Sequence, residues 1–180
     1  LSNMTSKEKR LIADCRIMII GASDFIDKVK AELIKSGFKS ISIISPLEEQ
    51  PDMDFTDIVV EYVGEGCSYI KEEVKIPIIY PSDFVEGAGV IVIMPGDDNE
   101  LPCKDNLRLW VAEYMVGYCA FWNVEGCEWL QSALPMIREG KTSEAAQRTA
   151  AHICARIAAN IAVGREVKHF PRFYLCNNLE

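Results

Sequence analysis

Apolar residues in the first half of this chain come in short runs, and in the second half they recur at helical spacing. Arg16–Ile20 (RIMII) is brief, rich in β-branched side chains and closed by Gly21, the pattern of a parallel strand buried on both faces. Ile26, Val29, Ala31 and Leu33 then alternate with Asp27, Lys28, Lys30, Glu32 and Lys35. That rhythm predicts an amphipathic helix capped by Ser23 or Asp24 and closed by Ser36 and Gly37. Ile41, Ile43 and Ile44 restore a strand pattern. Strand, glycine turn, helix and strand fit between Cys15 and Ser45, about the length of one βαβ unit, and predict the opening of a Rossmann-like sheet.

Ahead of that unit, residues 4–14 read as a polar lead-in or short helix that packs Leu11 and Ile12 on the sheet. After it, Ile58, Val59 and Val60 predict a third parallel strand, ended by Gly64, Glu65 and Gly66, and residues 67–74 allow one or two helical turns. Residues 76–80 (IPIIY) and 89–94 (GVIVIM) predict two further strands, with a loop over 81–88. That loop is too short for a helical crossover, so the pair predicts a hairpin and a mixed sheet. Residues 96–102 (GDDNELP) predict an acidic loop at the domain's edge.

Downstream, Leu107, Trp110, Val111, Tyr114, Met115 and Tyr118 fall on one helical stripe, which Asp105 is placed to cap. Asn123 to Gly126 interrupts the pattern, and residues 127–137 resume it around Pro135. The large aromatics in the segment 104–140 admit two readings, packing on the sheet and an exposed interface with a partner chain. Residues 143–163 predict a last helix, capped by Thr142 or Ser143 and closed by Gly164, whose many alanines allow close approach to the sheet. Residues 172–175 predict a final short strand. The whole chain, 1–180, therefore reads as one α/β domain, a Rossmann-like three-layer sandwich with a mixed, mostly parallel sheet.

Composition narrows the partners. Nineteen Lys and Arg against 27 Asp and Glu give a net charge of −8, which repels nucleic acid and anionic lipid, so neither is expected as a partner. No charged and apolar leader pattern is visible, and no apolar run approaches the ~18 residues of a spanning helix, which points to a cytoplasmic protein. Leu1 to Asn3 reads as a remnant ahead of Met4. The seven cysteines (Cys15, Cys67, Cys103, Cys119, Cys127, Cys154 and Cys176) are scattered and never spaced as CxxC. Thiols in a reducing compartment suit that pattern better than a metal site, and none is expected.

Candidate chemistry begins at the turn after the first strand. A dinucleotide fingerprint places glycines for the tight turn, for the approach of the pyrophosphate and for helix packing. Here those places hold Gly21, Ser23 and Ile26, so the turn has two readings, a structural strand-to-helix connection and a phosphate cradle at a helix N-terminus. The acidic residue expected after the second strand is replaced by Ser45. His152 and His169 show no partners for a triad in sequence. Cys103, beside Lys104, is the one cysteine with a sequence-adjacent cation that follows it in a polar loop. The acidic loops at 48–54 and 97–100 read as solvated.

Three segments carry a family resemblance: CRIMIIGASDFIDKVKAELIKSGFKSISII, then TDIVVEYV with IPIIYPSDFVEGAGVIVIMPG, then AAHICARIAANIAVGREVKHFPRFYLCNNL. In this order the chain resembles the ThiF/MoeB/HesA group, the ubiquitin-activating-enzyme family that adenylates the C-terminus of ubiquitin-like proteins. Members hold ATP on the glycine-rich loop and the acidic residue after the second strand, handle phosphates with Arg and Lys, and hold magnesium with an aspartate. The resemblance carries the loop to Gly21, Ala22, Ser23 and Asp24, the acidic place to Ser45 and the magnesium aspartate to Glu65. Between Ser45 and Cys67 there is no Arg or Lys.

The resemblance thus implies a degenerate member, non-catalytic or dependent on a partner, with at most weak nucleotide binding. It implies pairing as a homodimer or with a related subunit, and a ubiquitin-like protein as a further partner. One alternative is an ATP-dependent adenylyltransferase acting on the C-terminus of a ubiquitin-like or sulfur-carrier protein, with ATP and magnesium as cofactors and its cations supplied by another chain. A third is a Rossmann domain for NAD or FAD, which Ser23, Ile26 and Ser45 disfavour.

Overall fold

Strand β1 (Arg16–Ile20) has apolar side chains on both faces and therefore lies inside the sheet, with Ile17 and Ile19 in one buried cluster and Met18 and Ile20 in another. The computed structural model describes residues 3–21, 24–45, 52–70, 73–97 and 105–179. Among these, β2 (Ser40–Ile44), β3 (Ile58–Glu61), β4 (Ile78–Asp83), β5 (Ala88–Ile93) and β6 (Tyr174–Cys176) join β1 in a six-stranded sheet of order β2-β1-β3-β4-β5-β6. β1 pairs in parallel with β2 and β3, and β3 with β4, while β4–β5 and β5–β6 are antiparallel.

Helices α1 (Ser6–Asp14), α2 (Asp24–Lys35) and α5 (Glu144–Ala162) cover the face that carries Ile17 and Ile19. Helices α3 (Leu107–Phe121) and α4 (Glu128–Arg138) cover the other. The result is the expected α/β sandwich of three layers. On α5, Ala146, Ala150, Ala151, Ala155, Ala158 and Ala159 are all buried, and these short side chains bring the helix against α2, β4 and β5. Thr5 opens α1 with a reciprocal capping box to Glu8, and Ser143 caps α5 through the Ala146 N–H.

Several boundaries differ from the sequence expectation. Residues 67–70 and 73–74 form no helix, because the Ser68 hydroxyl and the Tyr69 N–H are drawn to the Glu61 carboxylate. β4 continues through Pro81 to Asp83 where a loop was expected: Pro81 pairs with Val90 on one side, and its carbonyl accepts the Val63 N–H on the other. Asn106, not Asp105, caps α3. Leu11 faces solvent and only Ile12 of α1 is buried. The last strand starts at Tyr174.

At the amino edge, Asp57 ties β3 to β1. Its Oδ2 accepts the Arg16 N–H at 2.8 Å and Nε–H at 3.1 Å, and its Oδ1 accepts from Nη2 at 2.9 Å. The Arg16 side chain is the main cause that holds the Asp57 carboxyl below its ordinary range.

Two outcomes are expected. Ala158→Leu overfills the contact between α5 and the sheet and lowers stability by about 1–3 kcal/mol in urea unfolding, whereas Arg156→Ala on the exposed face of the same helix changes it by less than ~0.5 kcal/mol. Because the folded carboxyl titrates lower than the unfolded one, the Asp57 contribution is present above about pH 4 and fades as pH falls through the folded value. Asp57→Asn therefore loses under about 1 kcal/mol at pH 7, the pair being half exposed, and its unfolding midpoint approaches the parent's as acid titration passes below the folded value of the carboxyl.

Candidate functional site at the carboxyl edge of the sheet

The parallel strands end together at one edge, and Gly21 and Ser45 meet there. β1 and β2 stay in register to Ile20 and Ile44, and the Gly21 N–H donates to the Ile44 carbonyl at 3.2 Å. Asp24 opens α2 and is exposed, as is Ser45. Ala22 and Ser23 lie outside the described residues, as do Cys103 and Lys104. A Cβ on Gly21 would stand 2.7 Å from Ile26 Cδ1 and 3.4 Å from Tyr62 Cβ. Gly21 has a φ of 153°, which L side chains rarely adopt, and a side chain there would also crowd Ile26 of α2. The Phe25 ring meets Tyr62 in a tilted contact, centroids 4.8 Å apart, and burial raises the Tyr62 hydroxyl above its usual range. Apolar and aromatic groups occupy the ground where a fingerprint would keep glycines.

Glu65 lies further along this edge and serves α3 through its backbone. The carbonyls of Gly64, Glu65 and Gly66 accept the N–H groups of Arg108, Asn106 and Leu107 respectively. The Asn106 side chain takes the Leu109 N–H at 3.1 Å, so the amides that open α3 are engaged within the chain. The Glu65 carboxylate rests against Gly140, where a Cβ would stand 2.7 Å from Oε1. Among the described residues no group of three His, Cys, Asp or Glu is placed to hold a metal ion.

Sequence reading missed the strongest polar feature of the edge. Asp83, fully buried at the end of β4, accepts from the Val85 N–H at 2.8 Å, the Ser143 N–H at 2.8 Å and the Gln147 Nε2 at 3.0 Å. Arg108, 1% exposed, donates from Nε to the Asp83 carbonyl at 2.6 Å and from Nη2 to the Lys141 carbonyl, and its Nη2 lies 3.8 Å from Asp83 Oδ1. Its Nη1 has no hydrogen-bond partner. A signal existed: Arg108 is one and two helical turns from Ala112 and Met115, so α3 turns it inward. A second buried carboxylate, Glu61, ends β3 and receives Ser68 and Tyr69.

The opposite edge holds a cavity of about 780 Å³ between the end of α5 and the strands β5 and β6, lined in part by Arg165, Lys168, His169 and Arg172. Asp97 brackets His169 Nδ1 at 2.9 and 3.0 Å while taking the Met94 N–H at 2.8 Å. The described lining supplies no serine or cysteine for this pair to activate. Arg165 is paired with Glu8 at 2.7 Å, and Lys168 lies 5.2 Å over the Tyr174 ring. His152 has Glu32 at 3.4 Å on an exposed helix face.

No helix among the described residues is long and apolar enough to cross a membrane. No protein-family model matches the chain, and a search of curated proteins found no match.

Because Arg108 is the cation of a buried carboxylate, Arg108→Ala should cost about 3–5 kcal/mol in urea unfolding, leaving Asp83 charged and buried. A loss under 1 kcal/mol would show that Asp83 is satisfied by its neutral donors alone.

Proposed function

We propose that this chain is a ThiF-like domain that keeps the scaffold of an adenylyltransferase and serves as a non-catalytic or partner-dependent subunit in the cytoplasm, with at most weak affinity for nucleotides. The observation that carries the reading is the state of the carboxyl edge, where Rossmann-like sheets bind their ligands. Ile26 and Tyr62 close on the Gly21 turn, the first amides of α3 are bonded to residues 64–66, and Arg108 is committed to Asp83. Adenylation needs cations on a transferring phosphoryl group. Arg108, the buried cation of this edge, has no solvent-facing surface to offer one.

A scaffold that pairs with another subunit keeps surface for it. Phe121 and Trp122, at the end of α3, are 77% and 62% exposed, which supports pairing with a second copy or a related chain.

Calorimetric titration with ATP–Mg, NAD and FAD is expected to give dissociation constants no tighter than about 1 mM, or ~4 kcal/mol of binding. ATP-dependent pyrophosphate exchange should be at background. Micromolar ATP–Mg binding together with exchange would replace the scaffold reading with an active adenylyltransferase.

A further inference from the structure

The turn between α3 and α4 brings together two cysteines far from the carboxyl edge. α3 ends at Phe121, Asn123 and Gly126 adopt positive φ of 53° and 83°, and the chain reverses into α4. Cys119 lies in the last turn of α3 and Cys127 is the N-cap residue of α4. The Cys119 carbonyl holds the turn by accepting the Val124 N–H at 2.9 Å. The two sulfurs are 2.7 Å apart, closer than the roughly 3.5–4.0 Å at which non-bonded heavy atoms rest.

We propose that Cys119 and Cys127 form a redox-active dithiol, oxidised by peroxide to an intramolecular disulfide that clamps the aromatic tip of α3. The two sulfurs differ in a way that assigns their roles. Cys127 is half exposed at the start of α4, where a peroxide can reach its sulfur, and its side chain caps nothing. Cys119 is buried and donates its S–H to the Cys127 sulfur. Burial and that hydrogen bond push its thiol up to about 12, so it stays protonated and shielded while the peroxide meets Cys127 first, and it reacts only through its contact with the Cys127 sulfur.

In the first step the Cys127 thiolate attacks one peroxide oxygen, the O–O bond breaks, and hydroxide leaves to be protonated to water, giving a sulfenic acid. In the second, the Cys119 sulfur attacks the sulfenic sulfur, the S–O bond breaks, and the departing oxygen takes the Cys119 proton and leaves as water. Two thiols lose two electrons and one peroxide becomes two waters. Cys15 and Cys154 are poorly placed to compete: both are buried, and burial raises both, Cys15 to about 11.

The disulfide would close a short loop whose large apolar side chains, Phe121, Trp122 and Val124, are exposed. It would hold that loop in one shape when oxidised and release it when reduced. The inference is independent of any nucleotide chemistry at the other edge.

The test uses the full chain, reduced, freed of reductant and titrated with hydrogen peroxide. Free thiols are counted and non-reduced digests are mapped by mass spectrometry. The expected result is an early loss of two thiols, a single crosslink between Cys119 and Cys127, and recovery of both thiols with dithiothreitol. Chymotryptic cleavage after Phe121 and Trp122 should slow by at least about tenfold on oxidation, because loop closure disfavours local opening. Cys127→Ser, at a half-exposed position, should abolish the two-thiol step. Cys119→Ala should stop the reaction at a sulfenic acid on Cys127, trapped by dimedone. Loss of thiols without this crosslink, a crosslink between chains only, or a Cys127→Ser protein that oxidises like its parent would each overturn the proposal.

Discussion

The Asp83 carboxylate is the constraint on which the arrangement of the two helical layers depends. It is fully buried at the end of β4, and a charge there is tolerable only when every donor around it arrives. Its partners come from both layers. Arg108, of α3 on one face of the sheet, lies 3.8 Å from the carboxylate as its cation and donates to the Asp83 carbonyl, whereas Ser143 and Gln147, which donate to the carboxylate, belong to the start of α5, whose helix lies on the other face. Arg108 also binds the Lys141 carbonyl in the link that carries the chain from one face to the other. The ion pair and its hydrogen bonds thus fix where α3 begins, where α4 ends and how α5 enters, all at one point of the sheet's edge.

That placement has a consequence for chemistry. In a parallel sheet the carboxyl edge is where backbone amides and helix N-termini face outward and can hold an anion. Here the edge is turned to internal use. The amides that begin α3 are bonded to residues 64–66, Glu61 gathers Ser68 and Tyr69, and Tyr62 and Ile26 lie over Gly21. Each of these contacts satisfies a polar or apolar group within the chain, which favours folding. The amides that begin α3 and the Arg108 guanidinium, so engaged, are not open to an anion. A net charge of −8 adds long-range repulsion of polyphosphates.

The elements were legible where local pattern and tertiary packing agree. The alanine-rich α5 and the run at β1 follow directly from spacing, and the 81–88 segment could be read as part of a hairpin from its length. Legibility failed where a single long-range contact overrides local preference. Pro81 and Asp83 look like loop residues, yet the first forms strand pairs that need no N–H and the second is held by partners up to 64 residues away. Glu61 reads as the polar end of a strand, and only the return of Ser68 and Tyr69 explains its burial. Gly21 and Ser45 could be brought together on paper because one βαβ unit contains both, whereas Glu65 and Gly140 meet through helix packing that no local pattern encodes. The nearness of Cys119 and Cys127 was hidden for a different reason: their spacing matches no motif, and the turn that joins them depends on the positive φ of Asn123 and Gly126.

The aromatic residues of α3, readable from sequence either as core or as interface, divide between the two roles by helical geometry. Leu107, Val111, Met115 and Cys119 point into the core at successive turns. Trp110, Tyr114 and Tyr118 form the flanking row, and the C-terminal tail covers them: Phe170 stacks on Tyr114 at 5.7 Å, Phe173 meets Tyr118 edge-on at 5.0 Å, and the Tyr114 hydroxyl donates to the Pro171 carbonyl at 2.6 Å. From there the tail turns into β6 to pair with β5, so it leaves α3 beside Tyr118. Trp122 continues the row one turn beyond that cover, and Phe121 stands beside it. Their exposure follows from the path of residues 170–173, which lie on Tyr114 and Tyr118 and then turn away from α3 to enter β6 beside β5.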